Sequence, residues 1–476
     1  MRKLSQLPQF LYEAGFGHPD QSTFSGIIGI TQPRRVAAVS MASRVSHEMN
    51  LFNGEVSYQI RYDKGQVNSK TRIKFMTDGI LLRELSQGGE SSSNSTGLLL
   101  TDYSCLIIDE AHERTVGTDI LLGWLTRVVK LRNSGRIDGV KPLKLVIMSA
   151  TLRVEDFTEN KSLFPQAPPP VLNIPGRQHK VVVHYNRHTN TNYLSEAFKK
   201  TVKIHSRLPQ GGILIFVTGQ HEVQILVRKL RAAFASVDKL DDEEQDETNN
   251  NDFNMLEETY ELSDDDYDME NMSDDDSDVV SIQSEEDDIQ ILNGTLGDED
   301  IEILTESEVK NRGPMHVLPL YSLLPKRAQL RVFESPPEGS RLVVVSTNIA
   351  ETSLTIPGIK YVIDSGKSKE RLYDPQTGLQ RFCIDWTSKA AADQRAGRAG
   401  RVGPGHCYRL YSSAVFGNYF PEFATPEISR VPLDGVILQM KAVGIQNILN
   451  FPFPTQPDLV QLKSSYLVFF TFRFIK

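Results

Sequence analysis

Two clusters in this chain have the residue types and spacing for phosphoryl chemistry. Asp109-Glu110-Ala111-His112 follows the apolar run Leu106-Ile107-Ile108. A buried strand ending there delivers two adjacent carboxylates to the C-terminal edge of a sheet, where ligands bind in open α/β folds. Such an Asp holds Mg2+, often through water, and the neighbouring Glu orients or deprotonates an attacking water. Four letters alone are a weak signal. On an apolar strand, followed by Glu113-Arg114 and a helical pattern, they are specific. The second cluster is Gln394-Arg395-Ala396-Gly397-Arg398-Ala399-Gly400-Arg401. Its arginines are three apart, so on a helix they share one side. Guanidinium groups supply fixed charge to a transferring phosphoryl group, and Gln394 could position the water. A solvated basic helix would carry the same charges, but interleaved glycines weaken a helix whose task is only structural.

These residues need elements that hold them. Gly26–Ile30, Arg72–Met76, Cys105–Ile108 and Leu145–Met148 read as short buried strands. Pro33–Met49 and Asp78–Leu85 read as helices between them. After Pro168-Pro169-Pro170 the pattern restarts, with strands at Gly212–Phe216, Arg341–Ser346 and Lys360–Asp364 and a helix at Gln220–Phe234. Strands alternating with helices predict an α/β protein of two parallel sheets, each covered on both faces. Thr31-Gln32-Pro33-Arg34-Arg35 and Thr77-Asp78-Gly79 each follow a strand and open a helix. Each alone is a plausible helix cap, but the pair reads as a track for a phosphate backbone.

The net charge of −9 is an average over two unlike parts. Residues 241–309 hold 29 Asp and Glu and no Lys or Arg, which leaves 52 basic against 32 acidic residues elsewhere, a net of +20. A basic body suits a polyanionic partner. The acidic stretch cannot bury enough apolar surface to order itself, so 237–311 is expected to be a disordered insert. It is either a passive solvated insertion or a regulated one. Ser263, Ser273 and Ser284 precede acidic runs, where phosphorylation would deepen the charge. No run of about 18 apolar residues predicts a membrane span. Cys105, Cys383 and Cys407 lack metal-site spacing and read as small core residues of a reducing compartment.

With eight motifs in order, the chain resembles the DEAH-box RNA helicases of superfamily 2. The motifs are TQPRRVAA (31–38), TDGILLRE (77–84), DEAH (109–112), SAT (149–151), FVTGQ (216–220), PLYSLLP (319–325), STNIAETSLTI (346–356) and QRAGRAGR (394–401). The resemblance covers about 5–235 and 312–460. The acidic insert, with VLPLYSLLPKRAQLRVFE resuming after it, is most similar to the nucleolar branch acting in small-subunit assembly. The resemblance implies two RecA-like domains, 1–178 and 179–420, then the start of a winged-helix region at 421–476. It implies ATP and Mg2+ as cofactors, and RNA as partner (pre-rRNA or a small nucleolar RNA). A protein activator or pre-ribosomal assembly factors, a nuclear and nucleolar location and no membrane also follow.

The resemblance assigns roles as well. Asp109 and Glu110 would handle metal and water, and His112 would couple that site to the second domain. Ser149 and Thr151 would link ATP state to unwinding. Arg44 and Phe333 would sandwich the adenine. Gln394, Arg398 and Arg401 would reach the γ-phosphate and water. Arg35, Thr77, Asp78, Thr218, Gly219, Asn348 and Thr352 would follow the RNA backbone, with the hairpin at 367–388 beside the strand.

The family's GxxxxGK[ST] loop has no counterpart before the helical pattern Gln6–Gly15. Lys3 aligns with the loop lysine, whereas Arg2 and Leu4 occupy its glycine and hydroxyl positions. Gly366-Lys367-Ser368 is a decoy, because Tyr361 stands where the loop's first glycine belongs. Ser464–Phe474 departs from the family's amphipathic continuation and reads as a buried terminal strand or an aberrant end. The expectation is a chain truncated at both ends, with turnover near background, either a helicase fragment or an RNA- or pre-ribosome-binding scaffold. If the acidic insert competes with RNA for the basic groove, deleting 241–309 tightens RNA binding, measured by fluorescence anisotropy at low salt. Unchanged affinity would sink that role.

Overall fold

The computed structural model describes residues 2–18, 24–65, 67–87, 99–150, 155–174, 179–234, 313–352, 355–374 and 377–471. Thr151 and the insert 237–311 lie outside these, as do the side chains of Arg2, Lys3 and Leu4. The first unit runs α1 (Arg2–Glu13), β1 (Ile27–Gln32), α2 (Arg35–Met49), β2 (Val56–Gln59), β3 (Ile73–Thr77), α3 (Asp78–Gln87), β4 (Tyr103–Ile108), α4 (Val116–Asn133), β5 (Lys144–Ile147) and α5 (Glu155–Thr158). Its five strands lie parallel in the order β2-β3-β1-β4-β5. α1 and α2 cover one face through Leu7, Leu11, Met41 and Val45, and α3 and α4 cover the other through Leu81, Leu85, Leu121 and Leu125.

The second unit begins with β6 (Val181–Tyr185), α6 (Tyr193–Arg207), β7 (Gly212–Phe216) and α7 (Gln220–Ala233). β8 (Met315–Leu320), α8 (Lys326–Leu330), β9 (Arg341–Ser346) and β10 (Ile359–Asp364) follow. An antiparallel hairpin β11 (Lys367–Tyr373) and β12 (Gln380–Trp386) leads into α9 (Lys389–Gly397), β13 (Gly405–Arg409) and α10 (Ser413–Tyr419). The six-stranded sheet β6-β13-β10-β7-β9-β8 is parallel throughout. Parallel order puts every strand's C-terminal end on one edge of its sheet, so Asp109–His112 and the starts of α2, α3 and α7 emerge at such edges, whereas Arg398–Arg401 follow α9 and precede β13, beside the strand start at Val181.

The strands predicted for the two sheets are all present: Gly212–Phe216 and Arg341–Ser346 have the predicted bounds, and the others differ by one or two residues at an end. β2, β6, β8 and β13 were not predicted, because segments such as Gly405-His406-Cys407-Tyr408-Arg409 mix polar and apolar residues without a run. β5 is half-exposed rather than buried, being the edge strand of its sheet. Cys105 and Cys407 are core residues, but Cys383 sits part-exposed on the hairpin.

The end of the chain also departs from expectation. Residues Leu459–Thr471 form a helix, α12, packed on α11 (Leu433–Ala442). β-branched and aromatic residues favour a strand only where a partner strand exists. Here Leu462 is buried, and Tyr466, four residues on, packs against the same cluster. That cluster joins Leu121, Leu122 and Leu125 of α4 to Ile437, Met440, Phe451, Phe453 and Leu462. The chain thus leaves the second sheet and returns to the first. Gly123 makes the return possible: a Cβ there would lie 2.5 Å from Phe451 Cε1 and 2.8 Å from the Pro452 carbonyl. Gly123→Ala therefore lowers stability by about 1–3 kcal/mol through overpacking, more than the roughly 1 kcal/mol gained in helix propensity. Thermal melts and faster proteolytic release of 426–471 would show it. An unchanged melt would contradict this packing.

Candidate active site and nucleic-acid track

β4 is buried along its whole length between β1 and β5. Its register sets Thr31 beside Ile108, so the following residues, Gln32 and Asp109, emerge together. Gln32 Nε2 donates to Asp109 Oδ2 at 2.7 Å. Burial, and then the charge of Glu110, push the Asp109 carboxyl up to about 8. Such a carboxyl is short of positive charge.

The chain then turns through two left-handed residues, Glu110 at φ 51° and Arg114 at φ 53°, around a short 3-10 turn, Ala111–Glu113. Left-handed backbone is uncommon for residues other than glycine and persists where surrounding contacts enforce it. His112 Nδ1 accepts from the Ala150 amide at 3.3 Å and lies 3.5 Å from Glu110 Oε2. His112 Nε2 is 2.9 Å from the Gln394 side-chain amide. The contact is between His112 Nε2 and Gln394 Nε2, and which of them donates depends on the imidazole tautomer. Glu113 accepts from the Thr352 hydroxyl and lies 3.9 Å from Arg34 Nη2. Successive residues of this loop thus reach both sheets.

The arginine cluster does not form one face. α9 stops at Gly397 and a 3-10 turn, Arg398–Gly400, follows, which separates the three side chains. Arg395 points into its own unit, with Nε donating to Glu351 Oε2 at 2.9 Å and Nη1 to Asp364 Oδ1 at 3.0 Å. Burial pushes its pKa down, but the Glu351 and Asp364 charges raise it further than burial lowers it. Arg398 and Arg401 face the cleft. Arg398 Nη2 donates to the Glu351 carbonyl, and Arg401 Nη1 donates to Thr355 Oγ1. Burial and then the Arg401 charge push Arg398 down to about 9, while burial pushes Arg401 down to about 10; Glu110, on the other sheet, opposes both shifts. The glycines also have a packing reason: a Cβ on Gly400 would sit 2.7 Å from the His179 carbonyl.

The remaining candidates are dispersed along the two edges. Ser149 is exposed beyond β5, next to Ala150. Arg44 is held by Glu48 at 2.8 Å on its own helix, and Phe333 packs against the cluster containing Leu318 and Val332. Arg35 and Asn348 are exposed, and Thr77 is half-buried. The Thr218 amide donates to Glu222 Oε2 at 2.8 Å, and Gly219 opens α7. Asp78 departs from expectation. Its carboxyl is buried, accepts from Thr118 and is raised by burial, so only the backbone at the open start of α3 faces outward. Thr352 is engaged by Glu113 rather than free for a backbone. Gln32, Glu113 and Arg114 were not singled out from sequence. The signal for Gln32 was present, since polar residues ending neighbouring parallel strands must meet.

The model of the helicase conserved C-terminal domain matches residues 278–403. "Probable ATP-dependent RNA helicase DHR1" of Saccharomyces cerevisiae is 51% identical over 97% of this chain. "Probable ATP-dependent RNA helicase DHX37" of Homo sapiens is 50% identical over 97%, and "ATP-dependent RNA helicase DEAH13" of Arabidopsis thaliana is 45% identical over 96%. The chain belongs to the DEAH-box RNA helicase family. It spans 36%, 39% and 42% of the lengths of these three relatives. Its two parallel sheets are the RecA-like halves of that family.

The donor set fits a metal–phosphate pair. Gln32 Oε1 is buried beside Asp109 without a hydrogen-bond partner, and a hydrated cation there would supply a donor. Arg398 and Arg401 want an anion for the same reason that Asp109 wants a cation. Arg395 plays a different part, so Arg395→Met should destabilise the second unit by about 3–5 kcal/mol, because Asp364 stays buried without its counter-charge. Chemical denaturation measures it. A loss below about 1 kcal/mol would contradict this assignment.

Proposed function

We propose that this chain is the motor core of an ATP-dependent RNA helicase. The observation that carries the proposal is the desolvated cleft shared by Glu110 from one sheet and Arg398 and Arg401 from the other. Asp109 and Glu110 would hold Mg2+, which would neutralise phosphate charge when bound. Glu110 would orient the attacking water and accept its proton. Arg398 and Arg401 would stabilise charge on the transferring phosphoryl group. His112 would report the state of the site to Gln394, and Glu113 to Thr352. Arg35, the backbone at Thr77–Gly79, Thr218, Gly219 and Asn348 would hold the RNA backbone, and Arg44 and Phe333 would sandwich the adenine of ATP. Stacking between a guanidinium and a ring discriminates little between bases.

The finer part of the proposal is action on pre-ribosomal RNA in the nucleolus with a protein activator. It is supported by the acidic insert and by the segment Val317–Glu334 that resumes the second sheet. A winged-helix start at 421–476, docked on α4, is part of the same reading. No described helix is long and apolar enough to cross a membrane. Glu110→Gln in the full-length gene product should lower RNA-stimulated ATP hydrolysis by at least about a hundredfold while leaving RNA binding intact. Hydrolysis equal to that of the unaltered protein would overturn the proposal.

A further inference from the structure

Arg114 immediately follows the loop that carries the carboxylates, and none of the roles above uses it. It is 1% exposed. Its Nε and Nη2 donate to Asp119 Oδ1 and Oδ2 at 2.9 and 3.0 Å, and its Nη1 donates to Asp156 Oδ2 at 2.6 Å. Nη2 also donates to Thr455 Oγ1 at 2.7 Å. Its carbonyl accepts from the Glu427 amide at 3.1 Å, and Glu427 Oε2 accepts in turn from the Val116 amide at 2.6 Å. One residue thus touches three segments: α4 through Asp119, the stretch just after the SAT motif through Asp156, and the returning C-terminal segment through Thr455 and Glu427.

The geometry points to Arg114 as a positioning residue that clamps the Asp109–His112 loop to the C-terminal segment. The clamp holds the loop in its left-handed exit. The backbone at Arg114 takes a conformation that a non-glycine residue adopts only under constraint. The constraints come from both sides: the guanidinium is pinned by two carboxylates and a hydroxyl, and the main chain is pinned by Glu427. A shift of the C-terminal segment therefore pulls on the residues that present Glu110 and His112. The coupling is local and electrostatic, and it is separate from the apolar contact of Phe451 with α4. Its consequence for catalysis rests on the function proposed above.

Thr455→Val is the informative variant, because Asp119 and Asp156 still pair Arg114 and the fold stands. Hydrogen exchange, measured without nucleotide, should speed up about tenfold in amides 110–119, as expected for loss of one hydrogen bond to a charged group. Amides of β1 and β3 should not change. Thr455→Ser keeps the hydroxyl and should restore the original exchange. In RNA-stimulated ATP hydrolysis by the full-length gene product, Thr455→Val should lower kcat several-fold with KM for ATP unchanged. Unaltered exchange in the Val variant, equal behaviour of the Val and Ser variants, or faster exchange spread through β1 and β3 would overturn the clamp. Faster loop exchange with unaltered kcat would overturn its positioning role. Absence of hydrolysis in every protein, the unaltered one included, would count against the proposed function, and the exchange experiment would still decide the clamp.

Discussion

Arg398 and Arg401 are cations held in a desolvated cleft; Glu110 of the other sheet opposes the loss of charge at both, and Glu351 of their own unit opposes it at Arg398. Across the cleft Asp109 has the opposite problem, a carboxyl whose ionisation is opposed by burial and then by the Glu110 charge. Low dielectric makes both situations unfavourable and makes a bridging ligand valuable. Within each sheet these groups are met by neutral partners, Gln32 at Asp109, the Glu351 carbonyl at Arg398 and Thr355 at Arg401, and Glu110 adds opposite charge across the cleft. The contacts His112 to Gln394 and Glu113 to Thr352 then let a change at the carboxylates reach the second sheet directly.

The loop that carries the carboxylates works because consecutive residues face different partners. Gln32 fixes Asp109 from the neighbouring strand, the Ala150 amide and Gln394 fix His112, and Arg114 anchors the exit. Two left-handed residues in a span of five permit this spread. A regular helix at this position would repeat every 3.6 residues and could not address so many elements. The C-terminal segment completes the support, since α11, Phe451 and α12 cover α4, the helix that follows the loop.

Much of this was legible in the sequence because buried parallel strands are continuous apolar runs, and Leu106–Ile108 and Val343–Val345 read as strands for that reason. The carboxylate cluster stood at a strand end, where chemistry in such folds concentrates, while the arginine cluster lies across the end of α9. What stayed hidden depends on tertiary partners. Spacing of three put Arg395, Arg398 and Arg401 on one face, but the helix ends among them and Arg395 turned inward to Asp364. Asp78 looked like a backbone contact, and Thr118 on another helix drew it inside. The terminal aromatic run, as far as Thr471, forms a helix on α11 rather than a strand. The glycines at 123 and 400 answer to Phe451 and His179, hundreds of residues away in the chain.

If the cleft arginines complete a site whose other half is the carboxylate pair, they must act on the terminal phosphate. The most direct measurement compares the affinities of full-length gene product and its Arg401→Met variant for a non-hydrolysable ATP analogue and for ADP, by calorimetric titration with Mg2+ and single-stranded RNA present. The variant should lose about tenfold or more in affinity for the triphosphate while binding ADP as before. Equal affinities for the triphosphate, or equal losses for both nucleotides, would contradict a site assembled from the two sheets.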